Sequence, residues 1–207
     1  QSIVETFSEY LIGEDPLRIE HHWQALYRSL PFRGNALSGA ISAVDIALWD
    51  IKGKHYGAPV WDLLGGRCRD KVRLHLLIGG DDPDALSRNV EDAKNDGFTA
   101  VKFDPLTTGY ADWTQDQLVR RTQAMCEAAR EAGGEEVALI VASHRKLSAV
   151  TSLALAESLK PFNLLFLEDP IQIDSIESQG SIARRTSVPV GNGERLNSIW
   201  EFRELLQ

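Results

Sequence analysis

Apolar residues recur at helical spacing through the first third of the chain. Ile3, Val4, Phe7 and Leu11 fall on one side of a helix predicted over 2–11. Gly13 stops it, and Asp15-Pro16 opens the next. Ile19, Trp23, Leu26, Tyr27 and Leu30 mark a second helix over 17–30. A loop is expected over 31–35, and a third helix over 37–56, closed by Gly57-Ala58-Pro59. Residues 36–43 of that third helix are rich in small side chains, which predicts a close helix–helix approach. Residues 60–64 read as one short helical turn before Gly65-Gly66.

Beyond Gly66 the rhythm changes. Short apolar runs predict strands over 72–78, 98–103, 137–141, 164–167 and 188–190. Between and after them, helices are predicted over 82–96, 113–132, 148–159 and 197–206, with 174–185 as helix or loop. Strand–helix alternation repeated five times implies βαβ units and a parallel sheet. A doubly wound sheet and a (β/α)8 barrel both satisfy that pattern. The first would carry a Gly-rich phosphate loop after its first strand. Gly79-Gly80-Asp81-Asp82 is not GxGxxG, so the barrel is preferred. The expected organisation is a helical domain over 1–66 and a partial barrel of about five strands over 67–207.

In a barrel the active site lies at the C-terminal ends of the strands. The second predicted strand ends in Lys102-Phe103-Asp104, the third in Ala142-Ser143-His144, the fourth in Glu168-Asp169 and the fifth in Gly193-Glu194-Arg195. Glu168 and Glu194 stand 26 positions apart, about one repeat of a barrel that divides roughly 250 residues into eight units. Two carboxylates in one pocket repel unless a cation sits between them, and carboxylate oxygens suit Mg²⁺. Two solvated loop acids, or a glycosidase pair, fit the same spacing.

Composition narrows the partners. A net charge of −8 argues against nucleic acid, which requires clustered Lys and Arg. No apolar run approaches the ~18 residues of a transmembrane helix, so no membrane partner is expected. The two cysteines, Cys68 and Cys126, form no CxxC pair, which argues against a disulfide framework and a Cys-rich zinc site and for reduced thiols in a cytoplasmic protein.

Several motifs in order resemble one family. Ser42-Ala43-Val44-Asp45-Ile46-Ala47-Leu48-Trp49-Asp50-Ile51-Lys52-Gly53-Lys54 resembles the capping-domain helix of the enolase superfamily, mandelate racemase-like branch. Pro59-Val60-Trp61-Asp62-Leu63-Leu64-Gly65-Gly66 resembles its crossing into the barrel. Phe166-Leu167-Glu168-Asp169-Pro170 and Gly193-Glu194-Arg195 resemble the motifs of its fourth and fifth strands. Tyr10-Leu11-Ile12-Gly13 with Asp15-Pro16 is similar to the N-terminal helices of its galactonate dehydratase group.

The resemblance implies an α/β fold: a TIM-type barrel preceded by the helical part of an α+β capping domain. It implies a Mg²⁺-dependent lyase that dehydrates a sugar acid through an enediolate, and homo-oligomers in full-length members. Glu168 and Glu194 match two metal ligands. His144 matches the acid for the leaving hydroxyl. Lys102 matches a charge-neutralising lysine of the second strand, and Asp104 is expected to contact substrate. A racemase or cycloisomerase of the same branch would need Lys where Asp104 stands.

Two departures qualify this. The position one repeat before Glu168, also two before His144, is Ala142, where the family places an Asp ligand. A methyl ligates nothing, so Mg²⁺ affinity is expected to be weakened or lost. The sequence is also expected to be a fragment without the later strands and their catalytic base, inactive and aggregation-prone alone. An inactive family remnant is the competing expectation.

Overall fold

The computed structural model describes residues 2–30, 34–173 and 175–207. The expected loop residues Pro31, Phe32 and Arg33 lie outside the described residues, as does Asp174. The chain divides into two units, residues 1–72 and 73–207.

The first unit is helical. Helices α1 (Ser2–Leu11), α2 (Ile19–Arg28) and α3 (Asn35–Tyr56) are followed by one turn, α4 (Val60–Leu63). Phe7, Leu26, Leu37 and Ile41 form the core between α1, α2 and α3. Helix α3 starts two residues earlier than the pattern predicts and ends at Gly57, whose φ of 64° closes the helix in the left-handed conformation. Within the small-residue stretch Leu37, Ala40 and Ile41 pack into this core, whereas a Cβ added at Gly39 meets nothing within 4 Å. The approach that does exclude a side chain lies at Gly53, where a Cβ would stand 2.8 Å from the Ala58 carbonyl. Buried His22 ties this unit together through Tyr10 Oη at 2.9 Å and the Asp15 carbonyl at 2.7 Å.

The second unit alternates β1 (Leu76–Leu77), α5 (Pro83–Asn95), β2 (Ala100–Phe103), α6 (Gln115–Gly133), β3 (Ala138–Ala142), α7 (Ala149–Leu159), β4 (Phe166–Glu168), α8 (Ile176–Arg185), β5 (Val190–Gly191) and α9 (Ile199–Leu205). The five strands are parallel and lie in the order β1-β2-β3-β4-β5. This order decides between the two architectures, since a doubly wound sheet reverses its strand order part-way. A sequential parallel order is that of a partial (β/α)8 barrel.

The helix starts follow from local chemistry. Asp82, Thr114, Ser148, Ser175 and Ser198 each accept a hydrogen bond from a backbone N–H of the first turn they open. Thr114 and Gln117 complete a capping box at α6.

Strand pleating sorts the residues between two faces. Val101, Phe103, Leu139, Val141 and Leu167 join Met125, Ala129, Leu155 and Leu159 of α6 and α7 in the main core. The alternate set, Lys102, Ile140, Ala142, Phe166 and Glu168, shares the opposite face, because Lys102 pairs with Ile140, Ile140 with Phe166 and Ala142 with Glu168. The outer strands are shorter than predicted. Only Leu76–Leu77 of the expected 72–78 is strand, and Val72 and Leu74 are exposed. Within this chain β1 and β5 pair on one side only, so half of their backbone groups gain nothing from extended geometry.

No helix among the described residues is long and apolar enough to cross a membrane. Cys68 is exposed, whereas Cys126 lies in the α6 core, where burial pushes its thiol pKa up. Iodoacetamide on the native protein, mapped by peptide mass spectrometry, is therefore expected to alkylate Cys68 and spare Cys126 until denaturant is added. Equal native labelling of both would contradict this packing.

Candidate active site

The polar face of the sheet ends in a charged cluster. Lys102, on β2, reaches Glu168, on β4, with Nζ 2.9 Å from Oε2 and 3.3 Å from Oε1. Their side chains are only 16% and 20% exposed, so this pair is better shielded than a surface salt bridge. Between them stands Ala142, fully buried and in register with Glu168.

Asp104, just past β2, collects three donors. Its Oδ1 accepts the Leu106 N–H at 2.8 Å. Its Oδ2 receives His144 Nδ1 at 2.6 Å and Lys146 Nζ at 2.5 Å. Lys146 also donates to the Leu106 carbonyl at 2.5 Å and lies 5.1 Å from the Tyr110 ring centre. His144 is thereby held at one nitrogen while its side chain stays 38% exposed.

The turn after β3 is unusual. His144 and Arg145 have φ of 47° and 64°, and the Lys146 N–H closes the turn onto the Ser143 carbonyl at 3.0 Å. Two positive φ values at the centre of a turn favour Gly or Asn, so His and Arg there carry strain that their side-chain anchors must offset. Arg145 is anchored well. Its N–H donates to the Asp169 carbonyl at 2.7 Å, its Nη1 donates to Asp169 Oδ2 at 2.9 Å, and the same nitrogen pairs with Glu194. Burial raises the Asp169 carboxyl above its ordinary range; Arg145 opposes that and Glu168 reinforces it.

The five predicted site residues therefore fall into pairings of different kinds. Asp104 and His144 are in direct contact, as are Lys102 and Glu168. Glu194 lies beyond β5 in the following turn, 47% exposed, with Arg145 as its partner. Arg145, Lys146 and Asp169 complete the cluster, yet periodicity singles out none of them. The available signal was the basic run His144-Arg145-Lys146 set at a strand end opposite Asp104 and Glu168-Asp169.

Comparisons with known proteins place this arrangement. Residues 85–207 match the family described as enolase C-terminal domain-like. Residues 1–65 match the mandelate racemase / muconate lactonizing enzyme N-terminal domain. The chain belongs to the mandelate racemase / muconate lactonizing enzyme family of the enolase superfamily. It is 36% identical to a D-galactonate dehydratase of Xanthomonas euvesicatoria and 35% identical to one of Xanthomonas oryzae, over its whole length. It spans 54% of each, about half the length of these curated relatives. The solved mandelate racemase/muconate lactonizing enzyme from a Sulfitobacter species superposes with a TM-score of 0.90 at 29% identity, covering 99% of this chain and 56% of that one. An enolase-superfamily member from Salmonella Typhimurium gives 0.91 at 25% identity, over 99% of this chain and 58% of that one.

The magnesium ion that this family implies can be tested against the residues present. Octahedral Mg²⁺ needs carboxylate oxygens free to coordinate it. Both candidate carboxylates instead hold protein cations, Lys102 on Glu168 and Arg145 on Glu194. The neighbouring position on the third strand offers the Ala142 methyl. Among the described residues no group of three or more His, Cys, Asp or Glu side chains could hold a metal ion. The donor set does not fit Mg²⁺.

Proposed function

We propose that the protein dehydrates a sugar acid, with His144 as the proton donor to the departing hydroxyl. The observation that supports this reading is the 2.6 Å contact between His144 Nδ1 and Asp104 at the C-terminal end of the sheet. With Nδ1 donating to the carboxylate, the ring is fixed and Nε2 is the nitrogen left to work on a substrate. In the reaction a proton leaves the carbon α to the carboxylate and the β-carbon–oxygen bond breaks. The hydroxyl departs as water with the proton that Nε2 supplies. The resulting enol becomes a 2-keto-3-deoxy acid.

Lys102 spends two contacts on Glu168 and has a third N–H to offer a substrate carboxylate. Asp104, which accepts from Leu106, His144 and Lys146, positions His144 in this scheme and keeps acceptor capacity for a substrate hydroxyl. The α-proton passes to a base other than His144. The similarity to the two D-galactonate dehydratases supports a six-carbon aldonate as the substrate class.

A second reading is a family member that keeps the fold without the chemistry. It is favoured by Ala142 together with the two carboxylates already paired. Incubating the full-length protein with a panel of aldonates, with and without Mg²⁺, separates the two by mass spectrometry. Loss of one water from one aldonate is the expected result. An unchanged panel, with an aldonate still raising Tm, would leave the inactive reading standing.

A further inference from the structure

We propose that Lys102 and Arg145 replace the metal ion in this site, so that its carboxylates are neutralised from within and the protein takes up no divalent cation there. Lys102 starts on β2 and ends on β4, crossing the strand between them. Two inter-strand steps amount to about 9–10 Å, a span that the Lys102 and Glu168 side chains bridge together only if nothing stands in their path. Lys102, Ala142 and Glu168 share one face of the sheet, and Ala142 is the residue the lysine passes. A carboxylate at 142 would block that path and draw the ammonium to itself. The methyl at 142 therefore does two things at once: it removes a ligand and opens the route to Glu168.

Arg145 does the same on the other side. The turn that carries it adopts a conformation costly for any residue but Gly or Asn, yet it delivers one guanidinium to Asp169 and Glu194 together. Lys102 and Arg145 supply the two positive charges that Mg²⁺ would bring, at fixed positions and without dissociation. The inference goes beyond the sugar-acid reading and does not depend on it, because it concerns the occupant of the carboxylates and not the reaction.

The test uses Mn²⁺ as probe on the full-length protein, with free Mn²⁺ read by electron paramagnetic resonance. Wild type is expected to show no uptake that depends on Glu168 or Glu194. The triple variant Ala142→Asp, Lys102→Met, Arg145→Gly adds a ligand and removes both cations, and is expected to bind at least about 100-fold more tightly. Glycine suits the positive φ at 145, so that change does not threaten the turn. Wild-type uptake abolished by Glu168→Gln or Glu194→Gln would overturn the proposal. Uptake indifferent to both variants would lie elsewhere and leave these carboxylates metal-free, as proposed. The wild-type measurement decides the matter even if the triple variant does not fold, and turnover enters none of these outcomes.

Discussion

His144→Asn is expected to lower kcat on the preferred aldonate by about 10²–10⁴-fold, the usual worth of a positioned general acid, with KM changed little. Asparagine is the informative replacement. Its side-chain amide nitrogen takes the place of Nδ1, so it can still donate to Asp104 and leave the Lys146 contact in place. Asparagine also tolerates the left-handed backbone found at 144 better than most residues. An unchanged thermal melt excludes loss of fold as the cause of lost activity. A substrate with fluoride in place of the β-hydroxyl sharpens the test, because fluoride departs without a proton. The variant should recover most of its rate on that substrate. Undiminished turnover of the ordinary aldonate would remove His144 from the mechanism, and a loss equal for both substrates would make it a structural residue.

The sequence announces the positions of these residues more clearly than their partnerships. β2 and β3 were readable because they are buried on both sides and flanked by neighbours, so apolar runs and strand coincide. The helix starts were readable because Asp82, Thr114, Ser148 and Ser198 satisfy backbone donors within the same few residues. The 72–78 strand failed because pairing, and not composition, decides how far an outer strand extends. In the cluster, the ends of β2, β3 and β4 bring Lys102 to Glu168 and Asp104 to His144. That Lys102 would choose Glu168 over nearer Asp104 depends on strand order, register and the size of residue 142, all of which are long-range facts. Arg145 was hidden for a different reason: its reach follows from two consecutive positive φ values that residues such as His and Arg do not advertise.

Phe103→Ala is expected to destabilise the second unit by about 3–5 kcal/mol, as large-to-small aromatic changes in a core do. Against a typical domain stability of about 5–15 kcal/mol this is enough to unfold a large fraction at modest temperature. Phe103 heads the fully buried side chains by volume and packs among the core residues of α6 and α7. Its neighbours in sequence, Lys102 and Asp104, point the other way and make the ion pairs of the site. One residue on the helix-facing side therefore sets how firmly two residues on the polar side are held. Phe103→Leu keeps most of the volume and should cost less than half as much, a graded pair that distinguishes lost packing from a general insult to β2. Urea unfolding of the full-length protein, with hydrogen exchange at residues 100–103 as the local readout, measures both. If Phe103→Ala stayed within about 1 kcal/mol of wild type, β2 would not be anchored by the core. The contact between Asp104 and His144 would then lack the rigid support that acid catalysis requires.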